Sequence, residues 1–159
     1  MYTIHLAKEP FKFSCSHFTI LSAEKAERLH GHNYQLRVDI SVKDVDPKLG
    51  FAFDFNTAKP LIRAFCDELD ERILIPTRSP YLQVKESGNS LEVQFMDRRY
   101  SFPMGDTLLL PLTNITSEEL ARYAWEKMAD ALSALPRWTA LQVHIEETRG
   151  QSVSYSQSR

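Results

Sequence analysis

The residues of this 159-residue chain whose types and spacing most readily do chemistry are His17, His30 and His32. In an extended strand, side chains two apart point the same way. His30 and His32 therefore share a face, and Tyr34, Leu36 and Val38 continue it. On the preceding segment His17 lies on the face of Phe13 and Cys15. Three of the five histidines thus point toward apolar surroundings, where an imidazole without a partner is costly to bury. Each alone reads as a core histidine bonded to a backbone carbonyl. As an H-x-H pair with a third histidine on a neighbouring strand, they read as a metal site. Three imidazoles with one open position suit a catalytic zinc ion rather than a closed structural one. His5 lies outside this group, and His144 falls on a polar face with Gln142 and Glu146, facing solvent. Cys15 shares the face of His17 and is either a fourth ligand or, the better reading, a buried inert thiol. Cys66 reads as packing.

Among the acids, Glu147 continues the apolar row Leu141, Val143, Ile145. A carboxylate closing an inward-facing row is usually paired or functional, and its two oxygens match the adjacent N–H donors of an amino-heterocycle. The alternative is that the strand has emerged into water by that point. Glu24 and Glu27 lie in a polar link, ordinarily a solvated loop. Glu27 stands three residues before His30, which makes it a candidate general base. Asp70 and Glu71 end a predicted helix as ordinary surface charges, and Asp54 is placed to cap its start.

The elements that must position these groups are legible in outline. Tyr2 to Ile20 alternates as one long strand bent near Pro10, and Asn33–Val42 is the clearest strand. Phe55, Ala58, Ile62, Phe65 and Leu69 recur at helical spacing up to about Arg72, with Pro60 tolerable only near the first turn. Residues 81–104 predict a hairpin turning at Ser87–Ser90, and Leu108–Leu112 a short strand. A capping box, Thr116 with Glu119, opens a second helix that stops before Pro136. Ala140–Thr148 and Ser152–Tyr155 are the last strands. The order predicts an α+β fold, an antiparallel sheet with two helices on one face, whose open edges call for oligomerisation. The chain reads as a single domain over 1–159 with an extra hairpin at about 81–104.

Composition excludes several classes of function. At 43% hydrophobic and 25% charged the chain is an ordinary folded protein. A net charge of −2 with dispersed basic residues predicts no nucleic-acid or membrane partner. No apolar run is long enough to span a bilayer, no secretion signal is visible, and two cysteines are too few for a disulfide scaffold. A cytoplasmic setting is expected.

The pieces together resemble the 6-pyruvoyltetrahydropterin synthase family, which includes 6-carboxytetrahydropterin synthase. The matching motifs run in order along nearly the whole chain. They are F-S-C-S-H at 13–17, L-H-G-H-N-Y at 29–34, F-D-F at 53–55, T-S-E at 116–118, and E-T at 147–148 followed by Tyr155. The resemblance implies the tunnelling fold, in which subunits join sheets into a barrel, and a homohexamer built as a dimer of trimers. It implies Zn2+ on His17, His30 and His32, and a pterin held by Glu147 with Thr116 and Ser117. The family's catalytic cysteine a few residues before H-G-H is absent, Ala26 and Glu27 occupying that stretch. Asp70-Glu71 stands where the family carries Asp-His, leaving Asp70 as the remaining member of a proton relay. E-x-L-H-G-H at 27–32 and the extra hairpin instead look like the type III branch, known from apicomplexan parasites and some bacteria, in which a glutamate replaces the cysteine. That branch cleaves the side chain of 7,8-dihydroneopterin triphosphate to 6-hydroxymethyl-7,8-dihydropterin, a folate precursor. The expectation is a zinc-dependent lyase of that kind with Glu27 as base. The alternatives are a 6-pyruvoyl- or 6-carboxy-tetrahydropterin synthase, or a non-catalytic pterin- and zinc-binding homologue.

Overall fold

Two short segments share one edge of the longest strand, and that arrangement organises the chain. In a computed structural model, which describes residues 1–135 and 138–159, strands β1 (Tyr2–Leu6) and β2 (Lys12–His17) both pair antiparallel with β3 (His30–Val42). β2 takes the first half of β3 and β1 the second, and Leu36 N bridges to Phe11 O between them. The single bent strand expected over 2–20 is therefore two strands. Pro10 lies in the break, where a missing N–H costs no ladder bond.

Helix α1 (Phe55–Leu69) follows, capped by Asp54, whose carboxylate accepts from Asn56 N at 2.8 Å. β4 (Arg72–Pro76), not expected as a strand, then pairs parallel to β2. The smaller sheet comes next: β5 (Gln83–Ser87), β6 (Ser90–Phe95) and β7 (Arg98–Pro103). The expected hairpin thus has a third strand, hidden by the charged start Arg98-Arg99. β8 (Thr107–Leu110) pairs parallel to β4, α2 spans Ser117–Ala131, and β9 (Trp138–Thr148) and β10 (Gln151–Ser158) form the last hairpin. Pro136, the expected stop of the second helix, lies outside the described residues.

The main sheet has the order β10-β9-β3-β2-β4-β8 with β1 beside β3. It is antiparallel except at β4 and β8. These enter the same way as β2 because α1 and the small sheet each carry the chain back across before it re-enters. Both helices pack on one face. Tyr34, Leu36, Val38 and Ile40 of β3 and Val143 and Ile145 of β9 are fully buried against Ala58, Ile62, Cys66, Leu120 and Ala124. Each large side chain so buried contributes roughly 1.5–3 kcal/mol. At β4 the alternation divides two cores, Leu74 entering this one and Ile75 the second. The second core joins Leu91, Val93, Phe95 and Phe102 of the small sheet to Phe18, Ile20 and Ala26. Thr116 caps α2 by accepting from Glu119 N, but the box is not reciprocal: the Glu119 carboxylate takes Thr113 N and Arg122 instead. No helix among the described residues is long and apolar enough to cross a membrane.

The opposite face of the sheet holds one buried charge. Asp39 accepts from Arg37 Nε (2.8 Å), His5 Nδ1 (2.7 Å) and His144 Nε2 (2.9 Å). His144 also contacts Ser154 Oγ at 2.6 Å, so it is held on both sides rather than facing open solvent as expected. Burial opposes ionisation of Asp39, but the three donors outweigh it and hold the carboxyl at about 2. A depressed carboxyl contributes stability that is present above its ordinary value of 3.8 and lost as pH falls through about 2. Asp39→Asn is expected to cost about 1–3 kcal/mol at pH 7, as for other hydrogen bonds to a buried charge. In thermal melts followed by circular dichroism, the gap between the variant and the parent should close as pH is taken from 5 to 2. A gap independent of pH would contradict this account.

Candidate functional site

The register of β2 on β3 builds the site. His17 stands opposite His30 and Cys15 opposite His32, so the imidazoles cluster at the end of the β2–β3 pair. Ring centroids are 4.7–5.3 Å apart, and one nitrogen from each ring lies within 4.8 Å of the others. His17 is 1% exposed; His30 and His32 open toward a cleft. His17 Nδ1 donates to Ile115 O at 3.1 Å, and His30 Nδ1 to Arg28 O at 2.6 Å. A carbonyl only accepts, so both Nδ1 atoms carry hydrogen and both Nε2 lone pairs are left to converge. His17 and His30 thus make the carbonyl bond of a core histidine with one ring nitrogen and leave the other available to a metal, while His32 Nε2 lies 3.4 Å from Glu147 Oε1. Burial lowers the affinity of His17 for a proton, which keeps it neutral as a ligand must be. Three imidazoles with an open side fit a metal ion of the kind that prefers nitrogen donors.

Glu147 is held rather than released to water. Its Oε1 accepts from the Tyr34 hydroxyl at 2.9 Å and lies 3.4 Å from His32 Nε2. The same hydroxyl is 3.2 Å from His17 Nε2. Burial, and next the Glu147 charge, push the Tyr34 phenol far up, so it remains an O–H donor. From sequence Tyr34 reads only as a core residue. Its available signal was that a buried tyrosine hydroxyl needs a partner.

Glu27 reaches the other side of the group, its Oε2 3.8 Å from His30 Nε2. Thr116 and Ser117, at the start of α2, join Glu27, His30, His32 and Glu147 around a cleft of about 520 Å³. A second cleft of about 720 Å³ shares His32 and Glu147 and runs past Arg72 and Arg149. The loop before α2 is tied to the end of β2: Ile115 O accepts from both His17 and Thr19, and the Asn114 side chain pairs with the backbone of Ile20 in both directions. Neither tie carries a sequence signal.

Asp70 is not brought to this cleft within the chain. Its Oδ1 accepts from Ser14 N at 2.7 Å at the end of α1, beside a separate hollow shared with Lys12 and Arg63. Glu71 follows in the left-handed region, φ 57°, its amide donating to Ser14 O at 2.7 Å. Glu24 is exposed in a turn closed by its amide on Ser22. Burial pushes the thiols of Cys15 and Cys66 up to about 12, so neither is a ready thiolate. Chemically, the cleft sets two carboxylates beside a metal-type donor set, Glu147 bonded to the Tyr34 hydroxyl and Glu27 near His30.

The family model for 6-pyruvoyl tetrahydropterin synthase matches residues 5–158. A relative from Methanocaldococcus jannaschii, provisionally named a 6-carboxy-5,6,7,8-tetrahydropterin synthase, is 29% identical over 151 residues, covering 91% of this chain and 88% of its own. The crystal structure of the Plasmodium vivax 6-pyruvoyl tetrahydropterin synthase superposes with a TM-score of 0.93 at 24% identity, covering 99% of this chain and 98% of that one. Variants of that protein replace a glutamate, described there as a catalytic residue, with alanine or cysteine. The Caenorhabditis elegans 6-pyruvoyl tetrahydropterin synthase superposes with a TM-score of 0.60 at 23% identity, covering 99% and 96%. With the three imidazoles, the clustered acids and a match over nearly its whole length, the chain belongs to the 6-pyruvoyl tetrahydropterin synthase family.

Proposed function

We propose that this chain is a zinc-dependent pterin lyase that cleaves the side chain of 7,8-dihydroneopterin triphosphate to 6-hydroxymethyl-7,8-dihydropterin. The observation that carries the reading is Glu27, a carboxylate 3.8 Å from His30 in the cleft that also holds Glu147, with both cysteine thiols buried and inert. The Plasmodium vivax enzyme, where a glutamate is the residue described as catalytic, supports it. So does the much closer superposition on that structure than on the nematode one at nearly equal identity.

In this reading His17, His30 and His32 hold the zinc. What zinc supplies when bound is Lewis-acid polarisation of the substrate's side-chain hydroxyls, which lowers their pKa. Glu147 accepts hydrogen bonds from adjacent N–H groups of the pterin, its orientation set by Tyr34, and Thr116 and Ser117 flank the ring. Glu27 takes the proton of the outer side-chain hydroxyl as the bond between the two hydroxyl-bearing carbons breaks, and the outer fragment leaves as an aldehyde carrying the triphosphate. The electron pair, delocalised into the ring, is quenched by a proton, and the inner carbon stays as the hydroxymethyl group. Asp70, bonded to the Ser14 amide, would serve this chemistry only at a cleft completed by a neighbouring chain. A homohexamer, a dimer of trimers joined through the open edges β8 and β10, belongs to the same proposal.

Triphosphate elimination to a 6-carboxy- or 6-pyruvoyl-tetrahydropterin is the second reading, favoured by the name of the Methanocaldococcus jannaschii relative. Mass spectrometry of the product formed from 7,8-dihydroneopterin triphosphate separates the two. A 6-hydroxymethyl product is expected, a carboxylated or pyruvoyl product establishes the second, and no product with any dihydropterin leaves a binding protein.

Metal analysis of purified protein should find about one zinc per chain. His32→Ala should lower that content, and chelation should abolish turnover that added zinc restores. Full turnover in metal-free protein would remove zinc from the scheme. Glu27→Gln should reduce kcat by at least about 10²-fold, the usual contribution of a general base, with zinc content unchanged. Unchanged turnover would exclude Glu27 as the base. Sedimentation equilibrium should return the mass of six chains; a stable monomer would refute the assembly.

A further inference from the structure

The small sheet has no part in the scheme above, yet one of its residues grips the loop that carries Glu27. Arg98, at the start of β7, donates from one terminal nitrogen to Glu27 O and from the other to Ala26 O, each at 2.7 Å. On the other side Glu27 N donates to Thr19 O at 2.9 Å. Both backbone polar groups of Glu27 are therefore held, one by the strand end that follows His17 and one by the small sheet. Ala26 is 8% exposed and packs into the second core with Phe18, Ile20 and Phe95. The Arg98 guanidinium itself lies 5.7 Å from the Phe95 ring centre. Between these anchors residues 21–25 are exposed.

The side chain of Glu27 has no comparable restraint. It is 43% exposed, and its ion contact to His30 is 3.8 Å. Its position beside His30 is therefore set by its backbone, and the backbone by the clamp. Two consecutive carbonyls pointing at one planar guanidinium use what arginine offers and lysine does not, two N–H donors in a fixed fork.

We propose that the sheet Gln83–Pro103 is a clamp on the Glu27 loop, with Arg98 as a positioning residue for the general base. The proposal rests on the assignment of Glu27 as that base, but the loop restraint can be measured apart from it. In Arg98→Met, hydrogen–deuterium exchange over residues 20–28 should rise while β3 and α2 keep their protection and metal content is unchanged. Displacing a reacting group by about 1 Å can cost about 10²-fold. Arg98→Met is accordingly expected to lower kcat at least about tenfold with KM nearly constant. Arg98→Lys, which keeps the charge but not the fixed fork, should recover part of the loss; it also decides the matter if the methionine variant does not fold.

A double-mutant cycle gives the sharper reading. If Arg98 acts through Glu27, Arg98→Met adds no further loss of kcat to Glu27→Gln; independent roles would multiply the two losses. Unchanged exchange over 20–28, or multiplying losses, overturns the clamp. If Glu27→Gln alone keeps full turnover, the assignment of the base has failed instead, and the clamp stands or falls on exchange alone.

Discussion

The pairing of β2 with β3, His17 opposite His30, is the constraint from which the rest of the site follows. Because side chains alternate at a period of two, sliding this pair by one residue would turn either His17 or the His30–His32 pair to the other face. The register is secured from the apolar side. Phe13 stacks on Tyr34 at 5.1 Å, and Leu36, Val38 and Ile40 anchor the far end of β3 in the helix-covered core. Packing that has nothing to do with chemistry thereby sets the alignment of the nitrogens.

A second constraint is that polar groups drawn into this packing must find partners. Tyr34 is buried to its hydroxyl, and the hydroxyl is satisfied by Glu147, which ties the far strand β9 to the imidazoles. His17, the most buried of the three, is satisfied by Ile115 O, which ties the loop before α2 to the same point. The site is thus stitched from β2, β3, β9 and the start of α2 by hydrogen bonds that burial makes obligatory. On the opposite face Asp39 does the same for His5 and His144, binding β1, β3 and β9 around one charge.

Much of this is legible in the sequence, for identifiable reasons. Strand alternation placed the three histidines on one inward face, and the same alternation carried Glu147 inward at the end of the Leu141–Ile145 row. Helical periodicity marked α1 and α2, and Asp54 and Thr116 cap them as their residue types suggest. Where reading failed, the signal was non-local or weak. β4 is too short to show alternation, and its parallel pairing depends on the path of α1. β7 begins with two arginines, one of which faces a loop more than seventy residues earlier. His144 sits on a polar face and is still half-buried, because β3 and β10 bring Asp39 and Ser154 against it.

The resemblance to the family implied that Glu27 stands where a cysteine is expected; the sequence by itself determined which faces are apolar and which side chains can ligate a metal. These depend on residue type and short-range period, and both are written locally. Only the tertiary structure decided which ring nitrogens converge, what holds Glu147, where Asp70 lies, and what grips Glu27. Those depend on contacts between residues far apart in the chain, and no local pattern encodes which carbonyl or guanidinium will arrive.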